Sequence, residues 1–433
     1  MKIVIFWFRR DLRLEDNAGF YHALQSGFSV LPLFIFDREI LDSLPEQDAR
    51  VSFIHQTVQS LSENFQKIGS DIRVEYGKPA EIWEKIVAEY AVHAVYTNHD
   101  YEPYGKQRDK ETARFLRSKN IDFQSFKDLV VFEKSEILNG SNLPYTVFTP
   151  YSKKWKLAFP EQALLDYPSE KLLHRLLPTP PFAFPELKTM GFSASTFSFP
   201  TTEVPEKLLS NYTETRDFPA IKGTSRLGIH LRFGTISIRK WAKKAAETNE
   251  TYLNELIWRE FYQQILWHFP QVISHAFKRE YDQIEWIHDE TLFQKWCEGK
   301  TGYPLVDAGM RELNATGYMH NRVRMVVASF LTKHLLMDWR KGEAYFAEKL
   351  LDFELASNNG GWQWAAGSGC DAAPYFRVFN PTLQMEKFDK DKQYIRKWIP
   401  EYGTPLYLRP VVEHTFARER CLAAYAVALK GGK

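Results

Sequence analysis

The amino-terminal part of the chain alternates short apolar runs with longer amphipathic stretches, and this alternation limits the choice of fold more than any other feature. The apolar runs are rich in β-branched and aromatic residues and predict buried strands, whereas the stretches between them carry apolar residues at helical spacing. The predicted strands cover residues 3–8, 30–36, 71–76 and 94–97, and the predicted helices cover residues 51–68, 81–90 and 106–118. Strands that alternate with helices form a doubly wound parallel α/β sheet.

The turn after the first predicted strand reads RRDLRLEDN and lacks the glycines of the GxGxxG fingerprint. A dinucleotide pyrophosphate needs those glycines because they let the backbone approach it closely. We therefore expect no NAD-type site at this turn. Ligands still favour the carboxyl ends of parallel strands, so this domain remains a candidate site for a small molecule.

The pattern changes twice along the rest of the chain. Residues 132–205 are rich in Pro, Ser and Phe, as in LPTPPFAFP, and predict an irregular linker. Helical periodicity then replaces the strand signals, in residues 252–268, 305–316, 322–339 and 342–351. The expected organisation is an α/β domain over residues 1–131, a linker over 132–205 and an all-helical domain over 206–433.

Composition excludes several classes of protein. The 56 lysines and arginines nearly balance the 54 aspartates and glutamates, so a site for a polyanion must come from local clustering. The 3 cysteines are far apart without CxxC spacing, which excludes a disulfide framework and a zinc knuckle. No apolar run is long enough to span a bilayer, and the first one is too short for a signal peptide. We expect a cytoplasmic protein with no membrane partner.

The motifs of common hydrolases and metalloenzymes are missing from the sequence. It contains no GxxxxGK[ST] loop, no HExxH and no GxSxG elbow. His268 and His275 lack a cysteine or carboxylate at ligand spacing, so we expect no metal site.

Two segments of the helical region carry polar groups at suggestive spacing. The first is rich in hydroxyl residues and glycines, which can turn donors towards phosphate but also form an ordinary helix cap; it covers residues 212–219 and 223–228. In the second, Glu255, Trp258 and Arg259 share one helical face. An aromatic core residue beside a surface ion pair would give the same pattern.

Two further segments lie closer to the carboxyl terminus. Asn321 and Met325 are one helical turn apart, although a methionine in this setting is more often a core residue. In residues 352–364, a glycine pair next to two asparagines allows the backbone to approach a flat ligand, and a buried structural turn is the alternative. None of the four segments identifies a function alone.

Five strings that occur in order along nearly the whole chain resemble the photolyase/cryptochrome family. They are FWFRRDLRLEDN, RDFPAIKGTSRLG, NELIWREFYQQ, KTGYPLVDAGMRELNATGYMHNRVRM and NNGGWQWAAGSGCDAAPYFRVFNP. The branch that repairs cyclobutane pyrimidine dimers is the most similar. The resemblance implies an α/β antenna domain joined to an all-helical FAD-binding domain, which agrees with the organisation predicted above.

The resemblance also implies a set of cofactor-binding residues. Those expected to hold the FAD phosphates are Tyr212, Thr224, Ser225, Arg226, Leu227 and Gly228. Asp352 and Glu354 would lie beside the flavin and its ribityl chain, and the amide of Asn358 would face the flavin N5 atom. By the same resemblance, Trp362, Trp339 and Trp286 form a chain that carries electrons between the flavin and the surface.

The lesion pocket follows from the same resemblance. Trp258 and Trp364 would pack against the lesion, and Arg216 and Gln384 would touch DNA. The other residues expected at the lesion or the DNA are Glu255, Arg259, Asn321, Arg322 and Met325. A flipped dinucleotide needs aromatic walls and a few polar contacts to base edges, which these residues supply.

The implied reaction is light-driven. Excited, reduced FAD donates an electron to the dimer, the cyclobutane ring opens and the electron returns. Glu255 would hydrogen-bond the dimer and stabilise its radical anion. The expected enzyme is a deoxyribodipyrimidine photolyase, a carbon–carbon lyase whose partner is damaged DNA, and we expect a monomer.

Three other functions compete with repair of cyclobutane dimers. Repair of 6-4 photoproducts calls for histidines at the positions of Asn321 and Met325, and because this sequence has neither we do not expect it. A cryptochrome-type blue-light receptor without repair activity is the main alternative. Such receptors often carry a long tail, whereas this sequence ends soon after the family core, in ERCLAAYAVALKGGK. A generic nucleotide-cofactor redox enzyme is the third.

The sequence departs from the family pattern at several positions. Gly228 replaces a serine, Glu354 stands where many relatives carry aspartate, and Tyr318 replaces a tryptophan seen in some members. Gly105 lies where folate-binding relatives carry an acid, and EPYG looks more like deazaflavin-binding members. A deazaflavin is therefore favoured over folate as a second, antenna chromophore, with a flavin or an empty site as alternatives.

Overall fold

The computed structural model describes residues 2–430. The outer ends of the first and last predicted domains, and the last three residues of the carboxyl-terminal string, lie outside that range. The chain forms two compact units that interleave along the sequence. The first contains residues up to 133, 156–202 and 227–244, and the second contains 134–155, 203–226 and the residues from 245 onwards. The division into three consecutive segments stays a prediction.

The first unit contains a five-stranded parallel sheet in the order β3-β2-β1-β4-β5. The strands are β1 (Ile3–Phe8), β2 (Ser29–Asp37), β3 (Arg73–Gly77), β4 (Val92–Asn98) and β5 (Asp122–Phe126). The predicted doubly wound α/β class is confirmed. Strand β5 was not predicted, because its residues are only partly buried or exposed and so form no apolar run.

The helices associated with this sheet are α1 (Ala18–Leu24), α2 (Arg38–Leu41), α3 (Ala49–Gln66), α4 (Pro79–Glu89) and α5 (Pro103–Ser118). Helices α3, α4 and α5 begin within three residues of the predicted starts. Prolines at the first helical position start α4 and α5, where a missing N–H costs no hydrogen bond. Helices α1 and α2 are short and were missed.

The turn after β1 serves an internal ion-pair network. Arg13 Nη2 donates to both carboxylate oxygens of Asp128 at 2.8 Å, and Arg239 Nη2 donates to Asp128 Oδ1 at 2.9 Å. All three side chains are buried. Arg239 also pairs with Asp16, so each buried charge in the network has a partner. The turn after β1 therefore carries structural contacts.

The remaining elements are helical. They are α6 (Phe148–Gln162), α7 (Glu206–Ser210), α8 (Tyr212–Thr215), α9 (Gly228–Phe233), α10 (Ile238–Thr248), α11 (Glu250–His268), α12 (Glu290–Cys297), α13 (Pro304–Thr316), α14 (Asn321–Ser329), α15 (Trp339–Lys349), α16 (Leu355–Ala366), α17 (Pro381–Phe388), α18 (Gln393–Trp398) and α19 (His414–Lys430). The all-helical class predicted for the second unit is confirmed. Helix α6 lies within 132–205, where the sequence predicted only irregular structure.

The continuous helix predicted over residues 322–339 is wrong. Helix α14 ends at Ser329, a π-helical turn covers Phe330–His334, and α15 begins only at Trp339. Leu336 adopts a positive φ of 50°, which ends the helical path. The apolar periodicity continues through this break because the residues of the π turn are themselves buried.

The core of the second unit is built around tightly packed aromatic side chains. Trp296, Trp339 and Trp362 are buried in one cluster between α12 and α16. A Cβ at Gly342 of α15 would overlap the indole of Trp362, so glycine is required where α15 and α16 meet.

Among residues 2–430, no helix is both long and apolar enough to cross a membrane.

The contact at Gly342 predicts a specific loss of stability. Gly342→Ala forces the Trp362 indole to move within a packed core, so we expect the free energy of unfolding to fall by about 1–3 kcal/mol. Gly361→Ala is the matched control, because a Cβ at this helical glycine meets nothing within 4 Å. Urea denaturation monitored by tryptophan fluorescence measures both. A Gly342→Ala protein as stable as Gly361→Ala would contradict the packing described.

Candidate functional site

A cavity of about 380 Å³ in the second unit collects most of the predicted site residues. It lies among residues of α11, α14, α15 and α16. The predicted residues that line it are Arg216, Glu255, Trp258, Arg259, Asn321, Met325, Asp352, Glu354, Asn358, Trp362 and Trp364. Residues far apart in sequence therefore meet at one site.

Helix α11 supplies one wall of the cavity. Asn249 caps the helix by accepting a hydrogen bond from the Tyr252 N–H at 3.1 Å. Trp258 stacks on Phe148, with ring centres 3.8 Å apart and an interplanar angle of 4°, and its ring centre is 5.5 Å from that of Tyr262. These contacts hold the indole of Trp258 as a flat wall.

Two arginine–carboxylate pairs line the cavity. Arg259 Nη2 lies 2.7 Å from Glu354 Oε1, and Arg324 Nη2 lies 3.1 and 2.9 Å from the two oxygens of Asp352. Arg259 was predicted to contact the lesion or DNA, and its guanidinium is instead paired here with a predicted cofactor residue. Arg324 was not predicted as a site residue.

Helix α16 supplies a further part of the cavity lining. Asn358 Nδ2 donates to the backbone oxygen of Glu343 at 3.0 Å and to Glu343 Oε1 at 2.8 Å. Both amide hydrogens are therefore used, which leaves Asn358 Oδ1 as the acceptor of that side chain. The indole nitrogen of Trp362 is buried without a hydrogen-bond partner, and a Cβ at Gly361 would meet open space.

These features fit the flat ring system of a flavin. Gly361 allows a ring to approach the helix backbone closely, and the side chain of Trp362 also lines the cavity. Asn358 and the Asp352 and Glu354 carboxylates offer acceptors at a polar edge. The donor and acceptor set thus suits a ligand with an aromatic body and polar edges.

Glu255 is paired with Arg216. Arg216 Nη1 donates to Glu255 Oε1, and both side chains line the cavity. Burial raises the pKa of Glu255 above its usual value, and the adjacent Arg216 guanidinium opposes that shift. A negative charge at Glu255 therefore depends on a donor close to it.

The predicted phosphate-binding residues do not line the cavity. Thr224 Oγ1 lies 3.0 Å from the Tyr318 hydroxyl, and the Tyr252 hydroxyl donates to Ser225 Oγ at 3.0 Å. Arg226 has a positive φ of 54° and its guanidinium lies 4.2 Å from the Tyr318 ring centre. The other members are Tyr212, whose ring centre is 5.0 Å from that of Tyr252, and Leu227 and Gly228, at the start of α9 in the first unit.

The other predicted residues also lie outside the cavity lining. Arg322 Nη2 donates to Asp217 Oδ1 at 2.8 Å, and Gln384 Oε1 on α17 is buried without a partner. Trp339 is buried in the same cluster as Trp362, and Trp286 packs against that cluster. Their roles as an electron chain and as DNA contacts stay predictions.

Several residues of the cavity were missed by the sequence analysis. They are Tyr262, Arg324, Ala328, Phe346, Leu350, Phe353 and Ser357, whereas Gly361 belongs to the glycine pair that the sequence analysis singled out. Tyr262 lies one turn beyond Trp258 on α11, so helical spacing was a signal for it. Phe346 and Leu350 carry no such signal, because apolar residues on a helix face are ordinarily core.

In the part of the chain that the structure describes, no group of three or more His, Cys, Asp or Glu could hold a metal.

His320 caps helix α14 and lies among the charges near the cavity. Its Nδ1 accepts a hydrogen bond from the Arg322 N–H at 3.2 Å. Burial lowers the pKa of His320 to about 4; the Asp217 carboxylate opposes that shift, and Arg322 and Arg324 add to it. The imidazole is therefore neutral in the folded protein at neutral pH.

Known proteins resemble this chain along nearly its whole length. Residues 252–405 match the model of the FAD binding domain of DNA photolyase, and residues 4–169 match the DNA photolyase model. A deoxyribodipyrimidine photo-lyase of Synechococcus is 36% identical, with 98% of this chain and 96% of the relative covered. A bacterial class III photolyase from Agrobacterium tumefaciens has a TM-score of 0.84 and 34% identity, with coverage of 99% of this chain and 98% of that one. An archaeal photolyase from Sulfolobus tokodaii with two FAD molecules has a TM-score of 0.79 and 32% identity, with coverage of 98% of this chain and 99% of that one.

The His320 cap predicts a pH dependence of stability. Because the folded protein holds the pKa near 4, the unfolded chain binds the proton more tightly, and stability falls as the pH drops below about 6.5. The His320→Asn variant keeps a cap acceptor but does not titrate. Between pH 7 and 5 we expect its free energy of unfolding to fall by roughly 1–2 kcal/mol less than that of the wild type.

His288→Asn is the control, since His288 lies outside this cluster on the segment before α12. The measurement is urea denaturation of the three proteins at several pH values. Equal pH dependence in wild type and His320→Asn would contradict the assignment.

Proposed function

The chain belongs to the DNA photolyase family, and from that premise we propose that it repairs cyclobutane pyrimidine dimers in DNA by light-driven electron transfer from reduced FAD. The observation that carries the proposal is a single cavity that combines aromatic walls with charged and amide groups. That combination suits a flavin beside a flipped pair of bases. The family shows the enzyme class, a lyase, and the residue roles below are proposals.

The cofactor would be held by polar groups of α16 and of the segment before it. Asp352 and Glu354 are already oriented by Arg324 and Arg259, so little reorganisation is needed on binding. Asn358 would present Oδ1 to the flavin edge, because Glu343 holds its amide nitrogen. We assign the FAD phosphates to Tyr212 and the segment from Thr224 to Gly228. Bound reduced FAD supplies the electron that opens the cyclobutane ring and receives it again afterwards.

The lesion would lie between aromatic side chains at the mouth of the same cavity. Trp258, fixed by its stack on Phe148, would support one face of the dimer, and Trp364 would support another. Glu255 and Asn321 offer acceptor and donor groups for base edges, and Met325 supplies an adaptable apolar contact. No general base is needed, since the reaction moves an electron rather than a proton.

DNA backbone contacts are assigned to arginines near the cavity. Arg216 and Arg322 would bind phosphates, and Gln384, with its buried unpartnered oxygen, would accept from a neighbouring nucleotide. With 56 basic and 54 acidic residues, the attraction to DNA would be local, and binding would weaken as salt rises. Trp286, Trp339 and Trp362 would carry electrons from the surface when the cofactor needs reduction.

A second chromophore would lie in the first unit at the carboxyl ends of β1 and β4. We favour a deazaflavin over folate. Gly105 packs against the carboxylate of Asp100, which leaves no room there for the acidic side chain of folate-binding relatives. The space lined by Arg9, Arg10 and Asp100 is only about 10 Å³, so binding requires these side chains to move.

Repair is tested with an oligonucleotide that carries one thymine dimer. We expect anaerobically reduced holoprotein to restore thymine absorbance under near-UV or blue light and not in the dark. Glu255→Ala removes a hydrogen bond to the dimer and should lower the repair rate about 10- to 100-fold. Trp258→Ala should weaken dimer binding by about the same factor.

Glu348→Ala is the control for these variants, because Glu348 is exposed on α15 and pairs only with Lys349 among the described contacts. A fully reduced, FAD-loaded wild type without thymine recovery would overturn the proposal in favour of a light receptor. Loss of activity in Glu348→Ala as large as in Glu255→Ala would overturn the assignment of the pocket.

The antenna is tested by releasing the chromophores from protein made in a host that synthesises both folate and deazaflavin. We expect FAD and a deazaflavin in the extract, identified by absorption and mass. Gly105→Asp should remove the deazaflavin and leave FAD content unchanged, because its carboxylate would clash with Asp100. Folate in the wild-type extract would contradict the preference.

A further inference from the structure

Glu255, whose carboxylate is proposed to bind the base edge of the lesion, already has a hydrogen-bond donor in the DNA-free protein. Arg216 Nη1 donates to Glu255 Oε1. The two side chains are 25% and 30% exposed, so a ligand that enters the cavity reaches both of them. A base that uses Glu255 must therefore compete with Arg216.

Arg216 is part of a short series of alternating charges. Its Nε lies 3.8 Å from Asp217 Oδ1, and the same Asp217 oxygen accepts from Arg322 Nη2 at 2.8 Å. Both arginines assigned to DNA phosphates are thus paired with carboxylates in the free protein. A phosphate that binds either arginine must therefore displace a carboxylate.

An unpaired charge at Glu255 is costly. Burial raises the pKa of Glu255, and the Arg216 guanidinium is the largest influence that opposes this shift. Asp217 adds to the shift with its like charge. Loss of Arg216 as partner therefore requires a replacement donor, such as the N–H of a pyrimidine ring.

We propose that the Arg216–Glu255 ion pair is a latch that a DNA phosphate opens only when a flipped pyrimidine dimer can replace Arg216 at Glu255. Arg216 exchanges its carboxylate for a phosphate oxygen, and Glu255 accepts a hydrogen bond from the base edge of the flipped dimer. One charge-assisted hydrogen bond within the protein is replaced by two to the DNA, and these must also offset the water that the phosphate and the base edge give up on binding. This inference rests on the proposed function and adds a coupling between its two recognition events.

The coupling has a consequence for selectivity. Undamaged DNA supplies the phosphate but keeps its bases stacked, so opening the latch would leave the partly buried carboxylate of Glu255 without Arg216 and without a base donor. A dimer without a phosphate supplies the donor but leaves Arg216 only the more distant carboxylate of Asp217. Because binding free energies are reciprocal, each half of the ligand strengthens binding of the other.

The first experiment measures dark binding of FAD-loaded holoprotein to two oligonucleotides by fluorescence anisotropy. Both carry one thymine dimer, and in one of them uncharged methylphosphonates replace the phosphates around it. Arg216→Ala should weaken binding of the natural backbone about tenfold. It should leave binding of the neutral backbone unchanged or tighter, since Glu255 is then free. Equal weakening for both oligonucleotides would overturn the latch.

The second experiment uses an undamaged single-stranded oligonucleotide and tests the other half of the pair. Glu255→Gln releases Arg216, so affinity for undamaged DNA should rise about three- to tenfold. The rise should disappear in the double variant Arg216→Ala/Glu255→Gln. This measurement stays informative if Arg216→Ala folds poorly.

The chain offers a matched control pair. Arg311 Nη2 lies 2.7 Å from Glu401 Oε1, with side-chain exposures of 25% and 29%, and neither residue lines the cavity. Glu401→Gln makes the same change in net charge as Glu255→Gln. We expect it to alter the affinity for undamaged DNA by less than about twofold. Equal gains in Glu401→Gln and Glu255→Gln would overturn the latch.

Failure of the latch and failure of the proposed function give different results. A wild type that repairs dimers in light while Glu255→Gln matches Glu401→Gln would refute the latch alone. A wild type with neither selective binding of the dimer nor light-dependent thymine recovery would refute the proposed function, and the latch with it.

Discussion

The close packing of α16 against α11 and α15 is the constraint on which the site depends. A Cβ at Gly342 would overlap Trp362, and a Cβ at Gly360 would overlap the ring of Tyr262. These two glycines let large aromatic rings lie directly against the neighbouring helix backbone. The same packing leaves Gly361 facing open space, so the backbone of α16 itself forms part of the cavity wall. The large aromatic rings and the glycines beside them together give the cavity flat walls.

The charges around this space are arranged as pairs. Asp352 and Glu354 have arginine partners on α14 and α11, and Glu255 has Arg216. An uncompensated charge in a partly buried cavity would be expensive, so each partner stabilises the other. This arrangement reconciles a near-neutral chain with a site for an anionic cofactor and a polyanionic partner.

Sequence patterns predicted those features that depend on neighbouring residues along a helix or strand. The face of α11 with Glu255, Trp258 and Arg259 was predicted correctly as a face, because positions three and four apart always lie together. The partner of Arg259 is 95 residues away, and no local pattern indicated it. The helix predicted across the π turn at Phe330–His334 was wrong for a related reason: buried residues kept the periodicity while the backbone departed from it.

The alternation of strands with helices, the α/β and all-helical classes and the residues of the four polar segments follow from the sequence, whereas β5, α1, α2 and α6 do not. They depend on periodicity and on long matching strings, both of which are properties of the chain itself. Only the tertiary structure showed that Phe346 and Leu350 line the cavity, that Glu343 orients Asn358, and that Arg216 holds Glu255. These are contacts between separate elements, and their geometry exists only after the helices have packed and buried their shared surfaces.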